Sequence, residues 1–472
     1  MGRLTGLPQE YVVAAIFVAA MFVNILDITI ITVTLPTLAR EFDTTTANMD
    51  WVVTGYLLSL AVFIPAAGWI SDRYGSKRTF LAALVIFTVF RGLSGAAQSV
   101  DQLVLFRVLQ GVGGGLMMPT GLAMLMRAFP PERRAAASKV LIIPTAIAPA
   151  TGPIIGGLIV DTLSWRWVFF VNLPIAIPAL IFGFIALQEY RAPRRTGFDI
   201  AGFILSGGGL ALLLFALNEG PQVGWGDPRA WAPGVAAIGL IATFALVELR
   251  LSAPMIQLRL LRDRMFRSAI FTMTFAVATF LGILFITPLF LQEARGLSAS
   301  QSGLATFPEA IGILLGSQVS GRLYPTVGPR RLMAGGLFFL AGFAALFLLV
   351  DLTTSMWAIR GLMFAIGLAM SFVLIPLQAG AFATISAEDT GMASSIFNAQ
   401  RQTSSALGVA VLATVLSMRM PEGATGAAQV GAFHDVYLVA ALIALAGVGI
   451  ALRIRDSDAA ATMRQPAVVE EP

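Results

Sequence analysis

The sequence predicts an all-α integral membrane protein of about 14 transmembrane helices, built as two six-helix halves in parallel repeat plus two inserted helices. Three observations predict it. Of 472 residues, 57% are hydrophobic and only 12% charged, roughly half the charged share of a soluble domain, and mean hydropathy is +0.82. Apolar runs of about 20 residues, the length a helix needs to cross the hydrocarbon core, recur along nearly the whole chain, and none shows the short alternating pattern of a membrane barrel. The basic residues fall in clusters between alternate runs, the asymmetry that orients a membrane protein. The composition also excludes chemistry. With no cysteine and His434 as the single histidine, disulfides, thiolate metal sites and imidazole clusters are ruled out, and no metal site is expected. A net charge of +5 spread over loop clusters is a topology signal, so nucleic acid is not an expected partner.

The first apolar run, Val12 to Val33, is too long for a signal-peptide core and lacks a small-residue cleavage site, so it is span 1. The spans then lie near 12–34, 51–70, 79–97, 103–126, 139–160, 167–187, 200–218, 232–249, 268–291, 302–323, 332–350, 356–380, 391–417 and 435–453. With a cytoplasmic N-terminus, the inside loops collect Arg73, Lys77 and Arg78, then Arg127, Arg133, Arg134 and Lys139, then Arg191, Arg194 and Arg195. Arg250, Arg259, Arg262, Arg264 and Arg267 follow, then Arg322, Arg330 and Arg331. Outside loops hold only isolated Arg40, Arg166, Arg229, Arg295 and Arg419. An even span count returns the C-terminus to the cytoplasm, beside Arg453 and Arg455.

An internal repeat sets the domain boundaries. GWISDRYGSKR from Gly68 matches GRLYPTVGPRR from Gly321, and Arg107 matches Arg360, both at an offset of 253 residues. PERRAAAS ending at Ser138 and AEDTGMAS ending at Ser394 align at nearly the same offset. The expected organisation is residues 1–190 as the N-terminal half, 191–262 as an inserted helix pair, 263–455 as the C-terminal half and 456–472 as a disordered cytoplasmic tail. Parallel halves place a substrate path between them, near the midplane.

Charged side chains within spans are costly and so mark function. Asp27 lies roughly 9 Å below the outer end of span 1, and Arg107 roughly 6 Å below that of span 4, at 1.5 Å per residue. Their depths overlap, so making and breaking their proximity would let Asp27 bind and release a proton; a structural ion pair is the alternative. Glu309, roughly 10 Å into span 10, is a second carboxyl that suits a second proton or a cationic substrate, or else a hydrated helix-end residue. Arg401 sits mid-way along span 13 among Asn398, Gln400 and Gln402, a polar cluster that should face the interior as a counter-ion or substrate contact, or as a structural hydrogen-bond network. Asn24, Gln110, Asn398, Arg401 and Gln402 are the polar residues assigned to the substrate cavity. Arg360 and Arg91 are weaker candidates, and no partner for Arg91 is evident. His434 reads as a hydrated loop residue. In the loop after span 2, Gly68 and Gly75 permit a tight turn, Asp72 can cap span 3 or meet a neighbouring helix end, and Arg73, Lys77 and Arg78 hold the inner face. Gly152 and Gly156 in TGPIIGG allow close helix approach, while Pro153 removes a donor and permits bending. No GxxxxGK[ST] loop exists, so no ATP site or cofactor is expected and an ion gradient is the energy source.

These strings resemble the major facilitator superfamily. Gly68, Asp72, Arg73, Gly75, Lys77 and Arg78 are similar to its loop motif after span 2, Arg107, Gln110, Gly111 and Gly114 to its span-4 motif, and Gly152, Pro153, Gly156 and Gly157 to its antiporter motif. LDITIITVTLP from Leu26, SWRWVFFVNLP from Ser164 and EGPQVGWGDP from Glu219 resemble the 14-span drug:proton antiporter branch. The second loop copy departs from the pattern, with Tyr324 and Pro325 where the first has Ser71 and Asp72. The resemblance implies a plasma-membrane exporter of amphiphilic small molecules driven by the proton gradient, a monomer whose other partners are protons and membrane lipids. It assigns coupling to Asp27 and Arg107, a cytoplasmic latch to the loop motif and a hinge or seal to TGPIIGG. Two alternatives stay open: a lipid, siderophore or metabolite exporter of the same fold, with or without proton coupling, and a non-transporting membrane sensor or scaffold.

Overall fold

In hydrocarbon every backbone N–H and C=O must find its partner within the chain, and helices do this locally. The computed structural model describes residues 8–44, 46–191, 197–251, 254, 256–420 and 426–463; inside the helices a few side chains, Pro153 among them, lie outside the described residues. No strand occurs among the described residues. The helices are α1 (Gln9–Glu41), α2 (Thr46–Tyr74), α3 (Ser76–Gly95), α4 (Val100–Ala128), α5 (Arg134–Thr162), α6 (Trp167–Phe170), α7 (Leu173–Ala186), α8 (Ile200–Val223) and α9 (Pro228–Glu248). After them come α10 (Arg264–Leu289), α11 (Ala299–Thr306), α12 (Pro308–Val327), α13 (Pro329–Leu346), α14 (Met356–Ala381), α15 (Thr390–Arg419), α16 (Ala427–Ala451) and α17 (Ala460–Met463).

Their starts are written locally. Asp199 accepts from Gly202 N ahead of α8, Asp227 precedes Pro228 at α9, Asp263 accepts from Phe266 N at α10, and Ser298 with Gln301 makes a capping box at α11, each satisfying orphan first-turn donors. Prolines split two expected spans. Span 6 breaks between α6 and α7 just before Pro174, and span 10 breaks at Phe307, before Pro308, because a proline has no N–H to bond the carbonyl four residues back.

Eleven helical stretches among the described residues are long and apolar enough to cross a membrane; α5, α11 with α12, and α15 stand where the other three expected spans lie. In α15 the apolar run is diluted by Ser394, Ser395, Asn398, Gln400, Arg401 and Gln402. His434, expected in a loop, lies in the second turn of α16 with Nε2 2.8 Å from the Val350 carbonyl.

The described chain forms two compact units. Unit 1 comprises Met1–Ala128, Ile147–Leu258 and Glu388–Thr403; unit 2 comprises Phe129–Ala146, Arg259–Ala387 and Ser404–Pro472. Helix α5 therefore gives its first half to unit 2, where Arg134 donates to the Phe382 carbonyl, and α15 gives its first half to unit 1. In unit 1, α2 and α3 pack along α4 and α1 along α7; in unit 2, α12 and α13 pack along α14 and α10 along α16. That is the repeat in three dimensions. The inserted pair α8 and α9 packs within unit 1 against α2, where Gly207 sits on the Val62 backbone and Phe244 joins Ala66 and Trp69 in a small core.

The segment from residue 456, expected to be disordered, is a 3₁₀ turn followed by α17 as far as Met463. Its polar groups find fixed partners: Arg264 donates to both Asp458 oxygens at 2.6 Å, and the Tyr324 and Thr462 hydroxyls lie 2.6 Å apart. The rest of the tail lies outside the described residues.

Candidate functional site

Four helices of unit 1 converge on one carboxylate. Asp27 comes from α1, Tyr56 from α2, Arg91 from α3, and Arg107 and Gln110, one turn apart, from α4; all five are fully buried. Arg107 Nη1 donates to Asp27 Oδ2 at 2.6 Å and to Gln110 Oε1 at 2.7 Å, and Gln110 Nε2 donates to the same Asp27 oxygen at 3.1 Å. Arg107 Nε is tied to the Val52 carbonyl at 3.0 Å, and its guanidinium lies over the Tyr56 ring, 4.4 Å from the centroid. Asn24, one turn away from Asp27 on α1, donates to the Tyr56 hydroxyl at 2.6 Å. Helix α4 can come this close because it carries glycine: a Cβ at Gly111 or Gly115 would strike the α2 backbone, and one at Gly113 the α3 backbone.

Sequence reasoning brought Asp27 and Arg107 to one depth but held Arg91 only as a weaker candidate without a partner. Arg91 pairs with Oδ1 of Asp27 and donates at 2.9 Å to the Val168 and Phe169 carbonyls of α6. The same depth arithmetic, applied to span 3, puts Arg91 about 9 Å from the outer end, level with Asp27; that was the available signal. The result is a cluster of two guanidiniums and one carboxylate with one positive charge in excess. A buried ion pair repays its desolvation only when further hydrogen bonds satisfy its remaining groups, and Gln110 and the three carbonyls supply all but the one that Arg107 Nη2 lacks among the described residues.

The loop motif forms a second polar centre, at the far end of α2. Gly75, with φ of 101°, turns the chain from α2 into α3, a conformation that suits glycine. Asp72, 8% exposed, accepts from Arg127 Nη2 at 3.0 Å, and Arg127 Nη1 donates to Ser76 Oγ at 3.0 Å. Asp72 also abuts Gly391 in the first turn of α15, where a negative charge is favourable, and Gly68 N donates to Ser395 Oγ at 2.9 Å. Thus Asp72 meets a helix end as expected, but its main partner, Arg127, was not singled out. Lys77 donates to the Phe184 and Leu187 carbonyls at the end of α7, while Arg78 lies 3.6 Å from Glu189. Arg73 is exposed.

The remaining candidates are placed separately. On α15, Asn398 is buried and Arg401 and Gln402 half-buried; Arg401 donates to Asn398 Oδ1 at 3.3 Å. In unit 2, Glu309 is 7% exposed in the first turn of α12, and no hydrogen bond or ion pair reaches its carboxyl among the described residues. Gly152 and Gly156 press α5 onto α1 at Thr29 and Ile30. Pro153 lies in α5, but its side chain falls outside the described residues.

A model of the Major Facilitator Superfamily matches residues 17–409. The chain belongs to that superfamily. It is 31% identical over 385 residues to the multidrug resistance protein B homolog of Mycobacterium tuberculosis, covering 81% of this chain and 71% of the relative. It is 33% identical to the tetracenomycin C resistance and export protein of Streptomyces glaucescens, at 82% and 72% coverage. It is 31% identical to the putative multidrug resistance protein MdtD of Pectobacterium atrosepticum, at 85% and 86%. These relatives are consistent with the drug:proton antiporter branch of the superfamily. Among solved structures, the human organic anion transporter MFSD10 (TETRAN) superposes with a TM-score of 0.70 at 15% identity, over 94% of this chain and 100% of that one, which shows a shared fold. The chain is a multi-span membrane protein of a transporter family.

Proposed function

We propose that this superfamily member exports amphiphilic, drug-like small molecules across the inner (plasma) membrane in exchange for protons, by alternating access, with both termini in the cytoplasm. The names of its relatives and the absence of a phosphate-binding loop support the cargo and the energy source. One observation carries the coupling scheme: two buried carboxyls have opposite surroundings. A proton reaching Asp27 would cancel the only counter-charge of two buried guanidiniums among the described residues, whereas a proton reaching Glu309 breaks no described ion pair. Glu309 is therefore the exchanging carboxyl. Asp27, Arg107 and Gln110 form the hub that a change of state must rearrange, Asp72 with Arg127 forms the latch, and Gly152 and Gly156 form the seal between α1 and α5.

Proteoliposomes with an imposed pH gradient test this. Glu309→Gln should lose accumulation of cargo against its gradient, because an amide cannot titrate, while exchange of labelled for unlabelled cargo continues. A Glu309→Gln protein that still accumulates cargo would move the proton site to Asp27.

A further inference from the structure

The charge left over in unit 1 bears on what the cargo must be. Arg91, Arg107 and Arg401 place three guanidiniums in the spans of unit 1, and Asp27 is the one carboxylate paired with any of them among the described residues. Arg91 and Arg107 are both committed to Asp27. Arg401 has a single hydrogen bond among the described residues, the 3.3 Å contact with Asn398 Oδ1, and no described carboxylate within ion-pair distance. A guanidinium carries five donors in a planar fork, so most of its donors are unused. Its setting on the helix is not accidental. Ser394, Asn398, Arg401 and Ser405 recur on one face of α15, and Asn398 Nδ2 is fastened to the Ser394 carbonyl at 2.9 Å, which aims its oxygen at Arg401. A polar stripe with an arginine is too costly to turn toward lipid, so this face points away from the bilayer.

We propose that Arg401, held by Asn398, is the receptor for an acidic group on the cargo, and that the exported class is amphiphiles bearing a carboxylate rather than lipophilic cations. The fork matches two carboxylate oxygens at once, which an ammonium would not. This rests on the exporter reading above and names its substrate class.

The test is equilibrium binding without any gradient, read by tryptophan fluorescence of the purified full chain in nanodiscs. The probes are pyrenebutyrate, its methyl ester and the matching pyrenebutyl-trimethylammonium. Pyrenebutyrate should bind at least about tenfold tighter than the ester, about 1.4 kcal/mol. Arg401→Gln should abolish that ratio while leaving ester binding intact, and because no gradient is applied a failure of proton coupling cannot be mistaken for a failure here. If Arg401→Gln does not fold, Arg401→Lys carries the test: it keeps the charge but not the fork, and the ratio should fall. Tighter binding of the trimethylammonium probe, or a ratio that survives both substitutions, overturns the proposal. Binding of none of the three would sink the exporter reading itself, and this proposal with it.

Discussion

Unit 1 and unit 2 repeat the same helix pairings with different chemistry inside them. In unit 1 the acid on the first helix is gripped by Arg91, Arg107 and Gln110. In unit 2 the repeat copy of Arg107 is Arg360, which lies over the Trp357 ring, 4.8 Å from its centroid, in the second turn of α14. Helix α10 brings no acid to it, and the buried carboxyl is Glu309, on a different helix. The loop motifs diverge in the same way. Both keep a glycine of positive φ at the entry to the next helix, Gly75 at 101° and Gly328 at 84°. Both also keep an acid that accepts from the backbone at that helix start: Glu189 from Lys77 N and Asp456 from Arg330 N, each at 2.9 Å. Among the described residues only unit 1 has the Asp72–Arg127 pair; unit 2 has the Tyr324–Thr462 hydroxyl contact instead. Turn geometry and helix capping are backbone requirements and persist in both halves, whereas charge is retained where it has a task.

The comparison is open to direct attack. The largest effect is expected at Asp27. Asp27→Asn leaves two buried guanidiniums without their counter-charge, so the folded state should lose about 3–5 kcal/mol, read as a fall in the thermal unfolding temperature and in membrane yield. Glu309→Gln should unfold like the wild type. Equal stability of the two variants would erase the distinction between a structural and an exchanging carboxyl. The next effect is kinetic. Asp72→Asn removes one charge-assisted hydrogen bond and should slow turnover by on the order of tenfold at unchanged expression, whereas Tyr324→Phe, at a corresponding point of unit 2, should leave turnover near normal. Equal slowing by both would mean that the two loop copies serve one latch. The smallest effect concerns the tail. Hydrogen bonds from Arg264 hold the Asp458 carboxyl below the ordinary aspartate range. The folded value is depressed, so this contribution is present at and above that range, near pH about 4, and is lost only as pH falls below it. At neutral pH, Asp458→Asn should raise amide exchange over residues 456–463 with well under about 1 kcal/mol lost overall. Unchanged exchange there would show that the Asp456 and Thr462 contacts hold the segment without it.

Several of these residues are legible in the amino-acid sequence. The loop glycines, the repeat offset and the closeness of Asp27 to Arg107 follow from the chain itself, since span length and a rise of about 1.5 Å per residue convert position into depth. The partners of Arg91 and Asp72 are not legible there. Depth narrows the choice, but the pairs are made by rotation: Arg91 turns toward α6 and α1, and Arg127 turns back to Asp72 and Ser76. The ordered segment at Asp456 to Met463 escapes for another reason, because its composition is that of a solvated tail and its order comes from Arg264, Arg330 and Tyr324, far away in sequence.

By itself, then, the sequence determined that this is a helical membrane protein, where its spans fall, that they repeat, and how deep each charge lies, all properties that apolar run length and helix rise encode along one dimension. Only the tertiary structure decided which face of each helix meets which neighbour, that α5 and α15 each divide between the two units, and that two arginines share one aspartate. The physical reason is the solvent. Lipid is as apolar as a protein core, so a helix hydrophobic on every side carries no amphipathic signal for its inward face, and the choice falls to close packing at small residues such as Gly111, Gly113 and Gly152.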